Sequence, residues 1–275
     1  TNSNYKDFHK LDKHRVCGIK LFMGSSTGNM LVDRINSLQN IFNGTDMLIA
    51  AHCEDPAIIK ENTAKYKAMY AEEDDVPIGK HPNIRSTAAC YASSGLAVKL
   101  AEQADARLHI LHVSTAEELQ LFKSIPLAEK HITAEACIAH LFYSLSDYRT
   151  LGTRIKCNPA IKRKNDRDAL RAAINSGLID VIATDHAPHL LADKEGGALK
   201  AASGMPMIQF SLVSMLELAD EGIFTLETIV EKMCHAPAEI YRINERGYIR
   251  EGYRADLVLV RPNAPWKVTT DKIPS

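Results

Sequence analysis

The sequence has no excess of charge of either sign. Its 275 residues contain 33 Lys and Arg against 34 Asp and Glu, which gives a formal net charge of -1 at pH 7. Proteins that bind nucleic acid or anionic membranes usually carry a basic stripe or a polybasic patch. We therefore expect no nucleic-acid partner and no membrane partner, and we expect a small-molecule substrate.

Cysteine pairs and long hydrophobic runs are also missing. No Cys-x-x-Cys pair occurs, no run approaches the ~20 apolar residues of a membrane span, and the first residues do not resemble a signal peptide. The cysteines are scattered at Cys17, Cys53, Cys90, Cys137, Cys157 and Cys234. This pattern is typical of reduced thiols, so a cytoplasmic location is expected. The 45% hydrophobic content is enough for one barrel-sized core.

Four short apolar runs carry or end in a side chain that can bind a metal. The runs and their side chains are 18–24 with Lys20, 47–52 with His52, 107–113 with His112, and 179–182 followed by Asp185. Short β-branched runs are typical of buried strands, and barrel enzymes keep their chemistry at the carboxyl ends of such strands. One such ending would indicate little, but four in chain order are hard to explain by packing alone.

Helical patterns lie between these strands. The predicted helices cover 56–72, 86–103, 116–124, 166–176, 206–220 and 226–234. Ser114 or Thr115 would cap the third of them. Alternating strands and helices predict a parallel sheet, and ligands at successive strand ends favour a (β/α)8 TIM-type barrel over a doubly wound sheet. The glycine-containing stretch 24–28 lacks the Lys-Ser/Thr ending of a phosphate-binding loop.

The C-terminal part of the chain has a different pattern. Residues 247–260 form a predicted turn and strand, followed by Pro262 and Pro265. We therefore predict an incomplete barrel over 1–245 and a small β appendage over 246–275. Only five or six strand candidates precede the appendage, whereas a closed barrel of this type has eight strands. We expect the barrel to be incomplete at its N-terminal end.

Taken together, these motifs resemble the amidohydrolase superfamily and, within it, the dihydroorotases. The matching segments are 18–28, 50–55, 108–115, 132–137, 155–162, 180–189 and, for the C-terminal return to a β-sandwich, 247–260. The most specific is Thr-Asp-His-Ala-Pro-His over 184–189, with Asn158-Pro159 upstream. The resemblance covers nearly the whole chain.

This resemblance implies a centre of two zinc ions bridged by a carbamylated Lys20. His52 and His112 would bind the second ion, and Asp185 would bind the first and move a proton from the attacking water to the leaving amide nitrogen. Simpler interpretations stay open at this point. Lys20 could reach solvent from a strand end, the two histidines could be core residues, and Asp185 could cap a helix.

The resemblance also implies a pair of substrate-binding residues. Asn158 and His189 would bind the ring amide and the carboxylate of the substrate. Without the resemblance they would be interpreted as a turn residue and a loop histidine. Gly204 resembles part of a substrate loop, whereas no motif assigns a function to His109, His131, His140, His186 or His235.

One family motif is missing from this sequence. The family's first strand carries a His-x-His pair and an arginine, and no His-x-His occurs here. The first metal would then keep too few ligands. We therefore expect this chain to be a fragment of a dihydroorotase with little activity of its own, whose exposed strand edges favour aggregation or pairing with another chain. A homo-oligomer stays open.

The implied reaction is the reversible hydrolysis of the cyclic amide of (S)-dihydroorotate to N-carbamoyl-L-aspartate in pyrimidine biosynthesis. One alternative is a related cyclic amidase, such as a dihydropyrimidinase, a hydantoinase or an allantoinase, which a substrate panel would distinguish. A second alternative is a non-catalytic dihydroorotase-like scaffold subunit. A scaffold would be expected to lose its metal ligands, whereas Lys20, His52, His112 and Asp185 are all present.

Overall fold

The computed structural model describes residues 1–24, 30–265, 267–269 and 272–273, and most of the glycine-containing stretch 24–28 therefore lies outside it. Within these ranges one parallel sheet of five strands forms the centre of the molecule. The strands are β1 (Ile19–Phe22), β2 (Ile49–His52), β3 (Leu108–Ile110), β4 (Ile132–Cys137) and β5 (Val181–Ala183). All four pairings are parallel, and the spatial order is the chain order.

Helices cover the sheet and connect its successive strands, except that the link from β3 to β4 contains only 3-10 segments. The α-helices are α1 (Ile35–Asn43), α2 (Pro56–Met69), α3 (His81–Ile84), α4 (Thr87–Ala104), α5 (Ile138–Phe142), α6 (Tyr148–Leu151), α7 (Lys164–Asn175), α8 (Ser211–Asp220), α9 (Leu226–Val230) and α10 (Ala236–Ile240). In a (β/α) barrel, strands and helices alternate along the chain, and each strand pairs with the strand that follows it in sequence. β1 and β5 are the two edges of the described sheet.

The main core lies between the sheet and its helices. Ile49, Leu108 and Ile110 from the central strands are fully buried. They belong to one apolar cluster with Ile41 of α1 and Ile174 of α7. β2 is buried at all four positions. Parallel strands that are covered on both faces have continuous apolar sequences. This explains why strands were predicted correctly from runs in which polar and apolar residues do not alternate.

Two helix predictions needed correction. The helix predicted over 116–124 is a short 3-10 segment, Glu117–Leu121. The predicted cap is nevertheless present, because Thr115 Oγ1 accepts a hydrogen bond from the Glu118 amide at 3.2 Å. The helix predicted over 226–234 stops being α-helical at Val230 and continues as a π-helical turn, Glu231–His235.

The strand predicted within 247–260 does not form in the described part of the tail. Residues 254–260 have no strand partner, and Leu259 is 99% exposed. A β appendage over 246–275 is therefore not confirmed, and its boundary stays a prediction. Of the described helices, none is both long enough and apolar enough to cross a membrane.

Candidate metal centre and substrate loop

Two buried histidines face each other at the carboxyl edge of the sheet. His52 is the last residue of β2, and His112 lies two residues beyond the end of β3. Nδ1 of His52 is 2.9 Å from Nε2 of His112, and the two rings meet edge to face with centroids 4.6 Å apart. Their side chains converge because neighbouring parallel strands end at the same edge.

A buried carboxylate fixes the far side of the His52 ring. Glu54 is 0% exposed, its Oε2 lies 2.9 Å from Nε2 of His52, and the same oxygen accepts a hydrogen bond from Arg85. Burial alone would raise the pKa of Glu54, but the charge of Arg85 and the bond to His52 outweigh it and lower this pKa to about 2. Glu54 is therefore ionised, and Nε2 of His52 carries the hydrogen, which leaves the Nδ1 lone pair free to accept.

His112 is neutral and has one unused nitrogen. Burial, followed by the nearby His52 and Lys20, holds the pKa of His112 well below its usual range. Because Nδ1 of His52 accepts, Nε2 of His112 donates, and Nδ1 of His112 is then a buried nitrogen without a hydrogen-bond partner in the described structure. The nitrogen of His112 that faces His52 is Nε2, so His112 would have to carry its hydrogen on Nδ1 instead before Nε2 could bind a cation.

Lys20 and Asp185 approach the same edge from the two outer strands. Lys20 lies in β1, and Asp185 lies two residues beyond β5. Both side chains keep exposed area, yet the protein atoms around each charged group partly desolvate it. This desolvation lowers the pKa of Lys20 and raises the pKa of Asp185, although each charge opposes the shift of the other. Lys20 also interacts electrostatically with His112, and Asp185 does so with His52. The four predicted ligands therefore lie near enough to one another at this edge to interact electrostatically.

Two of these four residues have left-handed backbone conformations. The φ angles are 39° at His112 and 45° at Asp185. Such a conformation in a residue other than glycine costs of the order of 1–3 kcal/mol and persists mostly at functional sites. The simpler interpretation of Asp185 as a helix N-cap is wrong, because the next described helical segment is the 3-10 turn Leu191–Lys194.

The predicted substrate pair lies on two neighbouring loops. Asn158 precedes Pro159 in a cis peptide bond, and its Oδ1 is buried without a hydrogen-bond partner in the described structure. His189 Nε2 donates to the Ser203 carbonyl at 3.1 Å. No hydrogen bond between described residues links either residue to His52 or His112.

Two charged residues around the centre were not predicted from the sequence. Glu54 could have been noticed, because it lies two residues after a strand-end histidine, inside the matching segment 50–55. Glu135 bonds the His112 amide at 3.3 Å and Nε2 of His109 at 3.1 Å. His109 is therefore a bonded core residue, as expected from its lack of a motif.

The histidine pair has the donor atoms that zinc requires. Two nitrogens of a tetrahedral zinc site, each about 2.0–2.1 Å from the metal, lie about 3.3 Å apart. Nδ1 of His52 and Nε2 of His112 would need to open by only a few tenths of an ångström from 2.9 Å. No three His, Cys, Asp or Glu side chains of the described ranges are grouped as a metal site. A third ligand would have to come from another group, and Lys20 as a carbamate fits that need.

A family model covers most of this chain. The model for the "Amidohydrolase family" matches residues 32–273, a range that includes His52, His112, Asn158, Asp185 and His189. The chain belongs to the amidohydrolase family. The curated relatives confirm the resemblance to dihydroorotases.

Those relatives include dihydroorotases from bacteria and archaea. The dihydroorotase of Pelobacter propionicus is 37% identical over 180 residues, 65% of this chain and 42% of the relative. The dihydroorotase of Halobacterium salinarum is 31% identical over 259 residues, 93% of this chain and 58% of the relative. The chain spans about half the length of the curated relatives it matches.

Solved amidohydrolase structures have the same fold. The L-hydantoinase (dihydropyrimidinase) of Arthrobacter aurescens superposes with a TM-score of 0.83 at 25% identity, over 92% of this chain and 57% of that chain. A D-hydantoinase superposes with a TM-score of 0.78 at 21% identity, over 91% and 56%. These similarities confirm the predicted TIM-type barrel class.

Proposed function

We propose that this chain carries the second-metal half of a dihydroorotase site and that its parent protein hydrolyses (S)-dihydroorotate reversibly to N-carbamoyl-L-aspartate. The observation that carries this proposal is the facing pair of nitrogens on His52 and His112, which lie 2.9 Å apart, with Glu54 bonded to the other nitrogen of His52. The reaction itself is proposed from the dihydroorotase relatives.

Each proposed residue has one task in this reaction. His52 and His112 would hold zinc, and Lys20, once carbamylated by carbon dioxide, would supply an anionic oxygen ligand. Bound zinc supplies a Lewis acid for the amide carbonyl and lowers the pKa of water. Asp185 accepts the proton of the attacking water and delivers it to the leaving amide nitrogen. Asn158 and His189 bind the ring amide and the carboxylate of the substrate.

Zinc affinity tests the metal part of the proposal. We expect His52→Asn and His112→Asn to weaken zinc binding by more than about tenfold, because each change removes one ligand nitrogen. The measurement is competition with a chromophoric chelator, in the presence of bicarbonate. His131→Asn is the control, because His131 is an exposed histidine paired with Asp105. Equal zinc affinity in all three variants, with unchanged melting curves, would refute the site.

A hydantoinase or dihydropyrimidinase is the second candidate function. The structural similarity to the L-hydantoinase of Arthrobacter aurescens favours it. A substrate panel on the longest natural protein that contains this sequence separates the two candidates. Turnover of dihydroorotate supports the first proposal, whereas turnover of dihydrouracil or hydantoin without dihydroorotate supports the second. A protein that binds no zinc and turns over none of these substrates would be a scaffold subunit.

A further inference from the structure

The loop after His189 has an unusual set of hydrogen bonds. Four consecutive main-chain carbonyls, residues 201–204, each accept from a basic side chain. The donors are Lys156 Nζ to Ala201, Lys194 Nζ to Ala202 at 2.8 Å, His189 Nε2 to Ser203 at 3.1 Å, and Lys194 Nζ to Gly204 at 2.8 Å. Irregular backbone cannot satisfy its carbonyls internally, so side chains do so here.

Lys194 uses all its donors in this loop. Besides the carbonyls of Ala202 and Gly204, its ammonium bonds the Lys156 carbonyl at 3.0 Å. The residue is only 7% exposed. Burial lowers the pKa of Lys194 to about 8, so the group keeps its charge at neutral pH. A buried ammonium is tolerated only when its three N–H groups are bonded, and a cage of three carbonyl oxygens meets that requirement.

The cage joins the two segments that carry the proposed substrate residues. The Lys156 carbonyl lies two residues before Asn158 and also accepts from the Gly204 amide at 2.8 Å. On the other side, His189 is bonded to Ser203, the residue between the two caged carbonyls of the loop. Lys194 therefore bridges the Asn158 segment and the His189 loop through one charged group.

The backbone at Gly204 shows how closely these segments pack. Its φ of 142° is unfavourable for other residues, and a Cβ there would lie 2.3 Å from the Ala187 carbonyl oxygen and 3.1 Å from Cδ2 of His189. The loop can therefore occupy this position only in a narrow range of conformations. A group that fixes residues 202–204 also fixes His189.

We propose that Lys194 is a positioning residue that sets the separation between Asn158 and His189 by holding three main-chain carbonyls around its ammonium. This inference rests on the proposed function, because it takes these two residues as the substrate pair. Lys194 itself does not touch the substrate, and it has no metal ligand among its hydrogen-bond partners.

Steady-state kinetics of the longest natural protein that contains this sequence test the proposal. Lys194→Met keeps an unbranched apolar stem and removes the charged donors, and we expect KM for dihydroorotate to rise about tenfold while kcat stays within about twofold. Lys194→Arg restores the charge and the donors, so its KM should lie between that of Lys194→Met and that of the wild type. Lys232→Met is the matched control, because Lys232 is a buried lysine paired with Glu231, outside this loop. Unchanged KM in Lys194→Met, or a loss confined to kcat, would overturn the proposal.

Hydrogen exchange gives a readout that does not depend on the substrate. In Lys194→Met we expect faster exchange at the amides of Ala202 and Gly204, with unchanged zinc affinity. If the protein turns out not to act on dihydroorotate, this result still decides whether Lys194 holds the loop. If Lys194→Met does not fold, the same two measurements on Lys194→Gln apply, because Gln also lacks the charge, and wild-type values of both would contradict the cage.

Discussion

His52 is held from both ring nitrogens, and this fixes which lone pair can bind a cation. The Glu54 carboxylate bonds Nε2, and Arg85 in turn bonds that carboxylate. The remaining nitrogen, Nδ1, faces His112. Histidine ligands of metals commonly donate their second N–H to a carboxylate, which sets the tautomer and the ring orientation.

Glu54 should therefore control metal affinity without binding the metal. In Glu54→Gln the negative charge is lost, and we expect zinc affinity to fall by about tenfold or more. Competition with a chelator measures it. Glu118→Gln is the matched control, because Glu118 is a buried glutamate bonded to Ser94 and Thr115. Equal affinities for the two variants would contradict an orienting role of Glu54.

The metal ligands that were predicted from the sequence lie on or just after apolar strands, whereas Glu54 and Lys194, which were not predicted, do not lie on strands. Lys20, His52 and His112 were recognised because a metal-capable side chain inside or after an apolar strand is conspicuous. Glu54 lies in an irregular segment and Lys194 ends a short 3-10 turn, where charged residues are usually solvated and no periodicity marks burial. Glu54 bonds the side chain of Arg85, and Lys194 bonds the main-chain carbonyl of Lys156, contacts between segments that no local pattern encodes.

At the scale of elements, a buried ion pair ties β4 to the start of β5. Asp180, the residue before β5, accepts from Lys130 Nζ at 2.7 Å and from the Ala134 amide at 3.0 Å. The side chains of Lys130 and Asp180 are 2% and 5% exposed. The carboxylate thus aligns the strand that delivers Asp185 with its neighbour.

Breaking this pair should destabilise the fold markedly. Asp180→Ala leaves the Lys130 ammonium buried without its counter-ion, so we expect a loss of about 3–5 kcal/mol in the free energy of unfolding. Urea denaturation measures the loss. Asp168→Ala removes an acid from an exposed pair with Lys164 and should cost at most about 0.5 kcal/mol. A small effect at Asp180 would mean that it adds little to the strand pairing.

Strands were predicted better than helices because the strands are buried apolar runs, whereas several helices are very short. The buried strands are short continuous apolar runs, whereas α3, α5 and α6 contain only four or five residues each and lack a full amphipathic period. The segment 116–124 has a sound cap but forms a 3-10 turn. A cap predicts where a helix begins, whereas tertiary packing decides how far it continues.

At the scale of the whole molecule, buried neutral histidines make the fold sensitive to acid. Burial is the main cause that lowers the pKa of His81 to about 3, against 6.5 in an unfolded chain, although its bond to the Cys157 carbonyl opposes the shift. Below pH 6.5 the unfolded chain therefore binds a proton that the folded chain does not. His140, with a pKa lowered to about 4, acts in the same direction.

Stability should consequently fall as the pH is lowered from 6.5 towards 3. His81 alone contributes a slope of about 1.4 kcal/mol per pH unit. Urea denaturation between pH 7 and pH 4 measures the slope, which we expect to be shallower in His81→Asn. His131→Asn serves as the exposed control and should keep the wild-type slope. A slope in His81→Asn equal to that of the wild type would show that the pKa of His81 is not lowered in the folded chain.

The match between spatial order and chain order of the five strands also bears on how the protein is made. When β2 leaves the ribosome, its partner β1 has already been synthesised, and the same holds for β3, β4 and β5. Each described strand pairs with a strand that was made just before it, so this part of the sheet can grow in one direction during translation. Asp185 follows β5, so the last of the four proposed metal ligands is synthesised only after all five described strands.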